Sequence, residues 1–364
     1  MRLLYLFPEE WTGRRAREVH TLSTCVALAQ CGAEVTLVTA GGIRDLERQL
    51  EDVAGQSEQP GLRLVGLSRA VGPVKSASIF DFHLRNWLGG QPRFDAGYVI
   101  HLKAGAMAMR AAIPYLFEAH EVFAETPQKD ETEQKQLHDL EKRTLSAATW
   151  RVATSKALAA ALVERYGKPG DYSIVPNAGD PPLPHSVAAP EGPLIYAGSI
   201  ADWKGLDVVI EATRAAEMRL KIIGGSELEW NQLSAGRRTE HVIWRARMPL
   251  KELPNALEGA RAGLIPTRTE TPSGRYSCPM KLFDYARCGL PVLSTALPSL
   301  QTLEAGSWCR QVEPSTLEAW TEAMRYFRFN PVQGETARAW AGVHTWRRRA
   351  EALMRIFFAR RRAD

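Results

Sequence analysis

The stretch Thr271–Pro298, TPSGRYSCPMKLFDYARCGLPVLSTALP, decides how the rest of the chain is read. It divides into a loop (Thr271 to Cys278), a short helix (Pro279 to Cys288) and a buried strand (Pro291 to Thr295), because each boundary carries its own punctuation. Ser277 or Cys278 stands where a helix cap belongs. Pro279 suits a first turn that has no use for its missing N–H, and Gly289 suits the left-handed position just past the helix. Pro291 then forbids more helix and leads into the apolar pair Val292 and Leu293. A helix N-terminus after a polar loop gathers backbone N–H groups and positive dipole, which suits phosphate, and Lys281 adds a full charge there. Asp284 lies one turn on, about 4.5 Å along the axis at about 1.5 Å per residue, a spacing that suits a ligand with phosphate at one end and sugar hydroxyls at the other. An ordinary loop–helix–strand unit with a surface Lys–Asp pair has the same spacing, so the segment alone does not separate the two readings.

Outward from this segment the chain alternates strand and helix. Upstream, Leu194–Gly198, Leu220–Gly224, Val242–Arg245 and Ala262–Pro266 read as strands, with helices at Leu206–Ala216 and Leu250–Ala260. Residues 180–193 hold five prolines, Pro181, Pro182, Pro184, Pro190 and Pro193, and read as a semi-rigid linker. Before it come strands at Leu3–Phe7, Val35–Thr39, Leu62–Leu67, Ala96–Leu102, Pro114–Glu118, Arg151–Thr154 and Tyr172–Val175. A helical pattern at Ala16–Cys31 is closed by Gly32, and Ser155 caps a helix that ends at Gly167. The charged run Thr126–Ala148 reads as a helix with a solvated face. Strand–helix alternation of this kind builds parallel sheets. The expected organisation is therefore an N-terminal domain (1–179), a linker (180–193), a second domain (194–344) and a final helix (345–364).

With 364 residues, 45% hydrophobic and 24% charged, the chain is long enough for two domains and has the composition of a globular enzyme. A net charge of +5 fits anionic ligands or an anionic membrane surface and is too small to argue for nucleic acid. The five cysteines lack metal-ligand spacing, so reduced thiols and a cytoplasmic location are expected, without a bound metal. Leu3–Phe7 is too short for a secretory signal, and Arg110 interrupts the best apolar run before it reaches the roughly 20 residues of a membrane span. The absence of G-x-G-x-x-G disfavours a dinucleotide cofactor, and no other cofactor is expected.

The segment YSCPMKLFDYARCGLPVLS resembles the donor-site segment of the family 4 retaining glycosyltransferases, which have the GT-B fold, and especially the variant S-P-x-K-L-F-E-Y-x-A-x-G-x-P-V. The resemblance implies an α/β protein with two doubly wound Rossmann-like domains facing across a cleft. It also implies transfer of a sugar from a UDP- or GDP-sugar to a glycan or lipid-linked hydroxyl acceptor, with retention and without an essential metal. In much of that family two glutamates stand eight positions apart. The second, which holds the ribose, falls on Asp284, and the first, which faces the donor sugar, falls on Tyr276. YAGSIADWKGLDVVIEA is similar to the family's diphosphate-binding strand–loop–helix, with Lys204 as the cation and Ser199 where arginine is common. Gly224-Gly225 matches an I-G-G turn near the donor, and Arg245 to Met248, including Arg247, matches the base-binding stretch. Ser277, Cys278 and Met280 flank Lys281 in the donor segment.

On the acceptor side, PYLFEAHE is similar to the family's segment in which a histidine, here His120, lies beside the transferred sugar. Glu121 either orients a ring or faces water. The loop holding Gly13, which leads into the N-terminus of the first helix, matches the family's glycine-bearing loop that approaches the donor phosphates or the acceptor, so the resemblance puts Gly13 among the donor-binding residues; Arg14 replaces a common second glycine and with Arg15 would narrow the approach or meet an anionic acceptor. SIVPNAGD resembles V-x-P-N-G-V-D at the end of the first domain, with Asn177 as a turn residue. In HTWRRRAEALMRIFFARRRAD the resemblance implies a helix packed on the N-terminal domain, whereas its basic face, with Arg360, Arg361 and Arg362, also suits peripheral contact with an anionic inner leaflet. Surface polysaccharide, lipopolysaccharide or glycolipid synthesis is the family-level expectation. A sugar-nucleotide epimerase, or a non-catalytic scaffold of the same fold, is the rival.

Overall fold

The computed structural model describes residues 1–126, 128, 130–167, 171–329 and 334–361 and divides into two units, Met1–Pro176 with Trp346–Asp364, and Asn177–Thr345. In the first unit the apolar runs become strands β1 (Arg2–Phe7), β2 (Glu34–Thr39), β3 (Leu62–Gly66), β6 (Ala96–Val99), β7 (Tyr115–Ala119), β8 (Trp150–Ala153) and β9 (Tyr172–Ile174). A small antiparallel hairpin, β4 (Ala70–Val71) and β5 (Val74–Lys75), precedes α3 (Ala77–Gly89). The remaining helices are α1 (Ala16–Gln30), α2 (Ile43–Ala54), α4 (Leu102–Arg110), α5 (Glu131–Ala147) and α6 (Lys156–Tyr166), with α15 (Trp346–Arg361) arriving from the far end of the chain.

Among the described residues the large sheet of this unit is parallel throughout, in the order β3-β2-β1-β6-β7-β8-β9. Helices cover both faces of such a sheet, which is why its strands read as nearly unbroken apolar runs. Ala350, Leu353 and Phe357 of α15 join the core cluster that contains Leu22, Cys25 and Val26 of α1. Arg362 lies outside the described residues, as do the side chains of Arg360 and Arg361. No described helix is long and apolar enough to cross a membrane, and the five cysteines are unbonded.

Two local expectations for this unit change. The strand expected over Ala96–Leu102 stops at Val99, because the His101 ring accepts a hydrogen bond from the Lys103 N–H and so caps α4. The charged helix α5 is not simply solvated: Glu141 is buried and accepts from the N–H groups of Phe123 and Ala124 and from the Tyr166 hydroxyl.

The second unit carries β10 (Leu194–Ala197), α7 (Leu206–Ala215), β11 (Leu220–Ile223), α8 (Glu227–Ser234), β12 (Val242–Arg245), α9 (Leu253–Leu257) and β13 (Ala262–Ile265). After them come α10 (Pro272–Tyr276), α11 (Met280–Arg287), β14 (Val292–Thr295), α12 (Pro298–Leu303), β15 (Cys309–Val312), α13 (Leu317–Phe329) and α14 (Gly334–Val343). Among the described residues its sheet is also parallel, in the order β12-β11-β10-β13-β14-β15. The single helix expected over Leu250–Ala260 is a 3-10 turn followed by the short α9, with Pro254 in its first turn. The proline-rich segment 180–193 lies along this unit. Leu183 and Val187 donate to the carbonyls of Arg287 and Cys288 at the end of α11, both at 2.9 Å.

Strand order reverses between β1 and β6 in the first sheet and between β10 and β13 in the second. Ligands of open α/β sheets bind outside the carboxyl ends of the strands at such reversals. In the second unit the loops there are 198–205 and 266–271, joined by the Arg268 N–H to the Trp203 carbonyl at 2.8 Å, and Arg268 also pairs with Asp207 in the first turn of α7 at 2.5 Å. Gly205 makes this approach possible. Its φ is +65°, and a Cβ would stand 2.1 Å from the Pro266 carbonyl oxygen. Gly205→Ala is expected to lose at least about 1–3 kcal/mol of stability, read by urea denaturation; an unchanged midpoint would contradict this packing.

Candidate functional site

Two lysines meet at the reversal of the second sheet. Lys281 lies in the first turn of α11, and its Nζ rests 3.7 Å from the centroid of the Tyr196 ring on β10. A Cβ on Gly198 would stand 2.9 Å from that nitrogen, so the amine lies directly against the backbone leaving β10. It is buried and has no hydrogen-bond partner. Lys204 ends the 3-10 turn Asp202–Lys204, with its Nζ 3.4 Å from the centroid of its neighbour Trp203. Both ammonium groups therefore rest on aromatic faces instead of carboxylates.

Burial, then the charge of Lys204, hold the Lys281 amine well below its ordinary range; Asp284 opposes this and does not overcome it. Burial brings Lys204 down to about 8. Asp284 is pushed up to about 7 by burial and then by Asp180, against the pull of Arg287 and Lys281. A cation held out of water without a partner is costly, and an anion placed between the two lysines would remove that cost.

The loop before α11 is fixed from two sides. The Ser299 hydroxyl donates to the Ser277 carbonyl and the Asn177 amide donates to the Cys278 carbonyl, both at 2.6 Å. Asn177 is thus a brace of the α11 approach, beyond the turn role read from sequence. The expected cap does not form: Pro279 occupies the N-cap, and neither Ser277 nor Cys278 caps α11 with its side chain. Gly289 takes the left-handed conformation expected of it, with φ +70°. The expected loop Thr271–Cys278 contains the short helix α10, capped by the Thr271 hydroxyl on the Gly274 N–H. Tyr276 is buried. The Ser199 carbonyl accepts from the Tyr196 hydroxyl at 2.7 Å, Gly225 has φ +69°, and the Arg247 N–H donates to the Gly225 carbonyl at 3.3 Å. Met248 packs against the core cluster of α11, and Met280 opens that helix.

In the first unit the N-terminus of α1 is already occupied. The Glu18 carboxylate is fully buried and accepts from the N–H groups of Thr12, Arg14 and Arg15 at 2.8–2.9 Å. Burial would raise this carboxyl, but the N–H groups of Arg15, Thr12 and Arg14 and then the Arg15 guanidinium bring it below its ordinary value. The helix end expected to meet a ligand phosphate therefore carries the chain's own anion, and Gly13, with φ +68°, turns the loop over it. Arg15 also pairs with Glu9. Gly13, Arg14 and Arg15 border a cavity of about 660 Å³ whose other wall is Asp45, Arg48, Gln49 and Asp52 of α2.

His120 follows β7, and the carboxylate nearest its ring is Glu118, with Oε1 3.1 Å from Nε2. Glu121 is half-buried and its carboxyl is raised, chiefly by burial. Glu118 is fully buried and accepts from Arg349 of α15 and from the Tyr98 hydroxyl, while His20 Nε2 at 3.2 Å and His120 Nε2 lie beside it without hydrogen-bond geometry. Burial would raise Glu118, but Arg349, His20 and His120 together hold it well below the carboxylate range. Burial pushes His20 down to about 4. His20, Glu118 and His120 have the donor types of a metal site and lie within 4.8 Å of one another. The Arg349 guanidinium stands on the same carboxylate, so a metal cation would have to displace a charge of its own sign. Glu118, His20 and Arg349 escaped the sequence reading, although a glutamate inside the apolar strand YLFEA is itself a signal, because buried carboxylates are almost always paired.

Two family models match in tandem: a glycosyl transferase 4-like domain over residues 15–178 and a glycosyl transferases group 1 domain over 192–327. The chain is a GT-B glycosyltransferase. A search of curated proteins gave no match. Among solved structures, sucrose-phosphate synthase from Thermosynechococcus elongatus superposes with a TM-score of 0.78 at 15% identity, covering 100% of each chain. Anabaena HepE in complex with UDP-glucose gives 0.70 at 13%, again with 100% of each chain covered. WaaG, a glycosyltransferase involved in lipopolysaccharide biosynthesis, gives 0.69 at 16%, covering 98% of this chain and 99% of its own. At these identities the likeness establishes the fold.

In this glycosyltransferase the two lysines lie in the group 1 domain, and His120 with Gly13, Arg14, Arg15 and Glu121 lies in the 4-like domain. The ligand-free protein bears the cost of Lys281. Because the folded-state amine titrates below its unfolded value near 10.5, the unfolded chain binds more protons, and the penalty is greatest at low pH and fades as pH rises toward that value. Lys281→Met is therefore expected to raise the melting temperature of the ligand-free protein, most at neutral pH and below. A lower melting temperature across that range would show that the amine is satisfied.

Proposed function

We propose that the two lysines form the diphosphate site for a nucleoside-diphosphate sugar and that the sugar is transferred to a hydroxyl acceptor with retention and without an essential metal. The observation that carries this reading is the buried Lys281 amine with no hydrogen-bond partner, with Lys204 beside it at the strand-order reversal. A departing diphosphate would neutralise both cations as its own charge develops, the role a divalent ion takes elsewhere. Asp284, one turn along α11, would accept from ribose hydroxyls, and its position near the diphosphate lysines matches that division of labour.

His120 would stand beside the transferred sugar in this reading. The cavity bordered by Gly13, Arg14 and Arg15 has charges of both signs, which suits the hydroxyls of an acceptor glycan better than a lipid tail. HepE was solved with UDP-glucose and WaaG serves lipopolysaccharide biosynthesis. A UDP-sugar donor and a role in surface polysaccharide or lipopolysaccharide assembly are the corresponding proposals here. A GDP-sugar is the alternative donor, since no residue around Arg247 and Met248 separates the bases. An anionic inner leaflet is the proposed peripheral partner.

Lys204→Ala tests the site. Loss of one charge-assisted phosphate contact, about 1.5–3 kcal/mol, is expected to weaken nucleoside-diphosphate binding roughly 10- to 100-fold and to lower donor turnover, with EDTA without effect on the parent. Unchanged affinity in the variant, or loss of parent activity in EDTA, would contradict the assignment.

A further inference from the structure

Three large apolar side chains of the first unit are turned to water within one short stretch: Val71 is 62% exposed, Val74 59% and Phe82 54%. Val71 and Val74 stand directly opposite each other in the β4–β5 hairpin, so both side chains leave the same face of it. Gly72, with φ +57°, and the exposed Pro73 make the turn between them. The tip is therefore Val-Gly-Pro-Val, with no polar side chain in it.

The tip has a firm base. The Ser76 N–H donates to the Arg69 carbonyl at 2.9 Å, and the Ser76 hydroxyl accepts from the Ile79 N–H at 3.2 Å, capping α3. His83 Nδ1 donates to the Ser68 carbonyl at 2.9 Å, which ties α3 back to the same base. The Phe82 and His83 ring centroids lie 5.7 Å apart, so the exposed apolar surface continues onto α3. Charge surrounds it with one sign. Residues 67–90 hold Arg69, Lys75 and Arg85 against a single carboxylate, Asp81, which is buried and taken up by Arg85 at 3.6 Å and by Arg110 at 3.0 Å. Lys75 is exposed and pairs with Ala70 immediately behind the tip.

An exposed apolar tip with cations just behind it is complementary to an anionic bilayer, whose acyl boundary takes the apolar groups and whose phosphates take the charge. A stable protein interface takes about 800 Å² from each partner, more than two valines, a proline and a phenylalanine present, whereas a bilayer sets no such minimum. The hairpin also follows β3 at the carboxyl edge of the parallel sheet, the edge at which the Gly13 loop follows β1 and His120 follows β7. We infer that Val71, Pro73, Val74 and Phe82 insert into the interfacial region of an anionic membrane, with Arg69, Lys75 and Arg85 on its phosphates. This rests on the reading of an anionic leaflet as the peripheral partner, and it assigns that partner a surface other than the C-terminal arginines. An acceptor carried on a lipid would then reach the protein at the sheet edge that holds His120.

The test sediments the full-length protein with vesicles of mixed phosphatidylglycerol and phosphatidylcholine, and with vesicles of phosphatidylcholine alone. The wild-type protein is expected to bind the mixed vesicles, to leave them in high salt, and to ignore the neutral ones. Val71→Ser/Val74→Ser is expected to weaken that binding on the order of tenfold while keeping the melting temperature and the nucleoside-diphosphate affinity. Lys75→Gln is expected to weaken it roughly fivefold. Val74→Trp is expected to add emission that brominated lipid chains quench. Vesicle binding unchanged in the double variant, or Trp emission that brominated lipid leaves untouched, would overturn the inference and leave the leaflet reading to the C-terminal arginines. A wild-type protein that binds neither kind of vesicle would overturn the leaflet reading as well, with the diphosphate site unaffected. Self-association of the wild-type protein that the double variant abolishes would overturn the inference too, by making the tip a contact between copies of the chain.

Discussion

The Lys281 amine is buried in a place that offers it an aromatic face, a backbone, a second lysine and, one turn on, Asp284. Around it the second unit reads as a set of measures that keep the amine there. Tyr196 on β10 supplies the face on which it rests, and the hydroxyl of that ring ties down the Ser199 carbonyl. Tyr285 of α11 accepts a hydrogen bond from the Ala197 N–H at 2.8 Å, locking the helix that bears Lys281 to the strand beneath it. Asn177 and Ser299 hold the loop in front of that helix. A flexible lysine in water would gain nothing from such restraint. A lysine held ready for an anion gains preorganisation, because the cost of removing water from the charge is met in folding and not at the moment of binding.

The first unit solves the opposite problem. Its helix α1 begins at the same kind of sheet edge, but there the buried carboxylate of Glu18 sits at the N-terminus and takes up the N–H groups of Thr12, Arg14 and Arg15 in the loop before it. One unit leaves the Lys281 amine without a hydrogen-bond partner, and the other neutralises its own helix end and presents walls of mixed charge. That asymmetry fits a division between an anionic donor and a largely uncharged acceptor, and it comes from side chains set on two sheets of the same design.

Much of this was legible in the sequence because it is local. The alternation of apolar runs and amphipathic stretches gave both sheets, and the segment from Thr271 to Pro298 announced its helix, its Gly289 turn and its strand. Lys204, Lys281 and His120 stood out through the resemblance of their segments to family 4 motifs, since position alone fits an ordinary structural residue equally well. What stayed hidden depends on long-range closure. Nothing near Arg349 in sequence indicates that it meets Glu118, and nothing near Asn177 indicates that it braces Cys278. The helix cap was misplaced for a related reason: Ser277 and Cys278 have suitable side chains, but their backbone carbonyls are held by Ser299 and Asn177, and Pro279 takes the N-cap. Local propensity selects candidates, and tertiary contacts choose among them.

The central claim is that the Lys281 charge is left incomplete by the protein and completed by a diphosphate. The most direct measurement is the titration of the Lys281 amine by NMR of 13C-labelled lysine, with and without a nucleoside diphosphate. The account predicts an amine that titrates well below the ordinary lysine range in the free protein and rises when the diphosphate binds. An amine that titrates normally in the free protein, or that does not respond to a bound diphosphate, would contradict it.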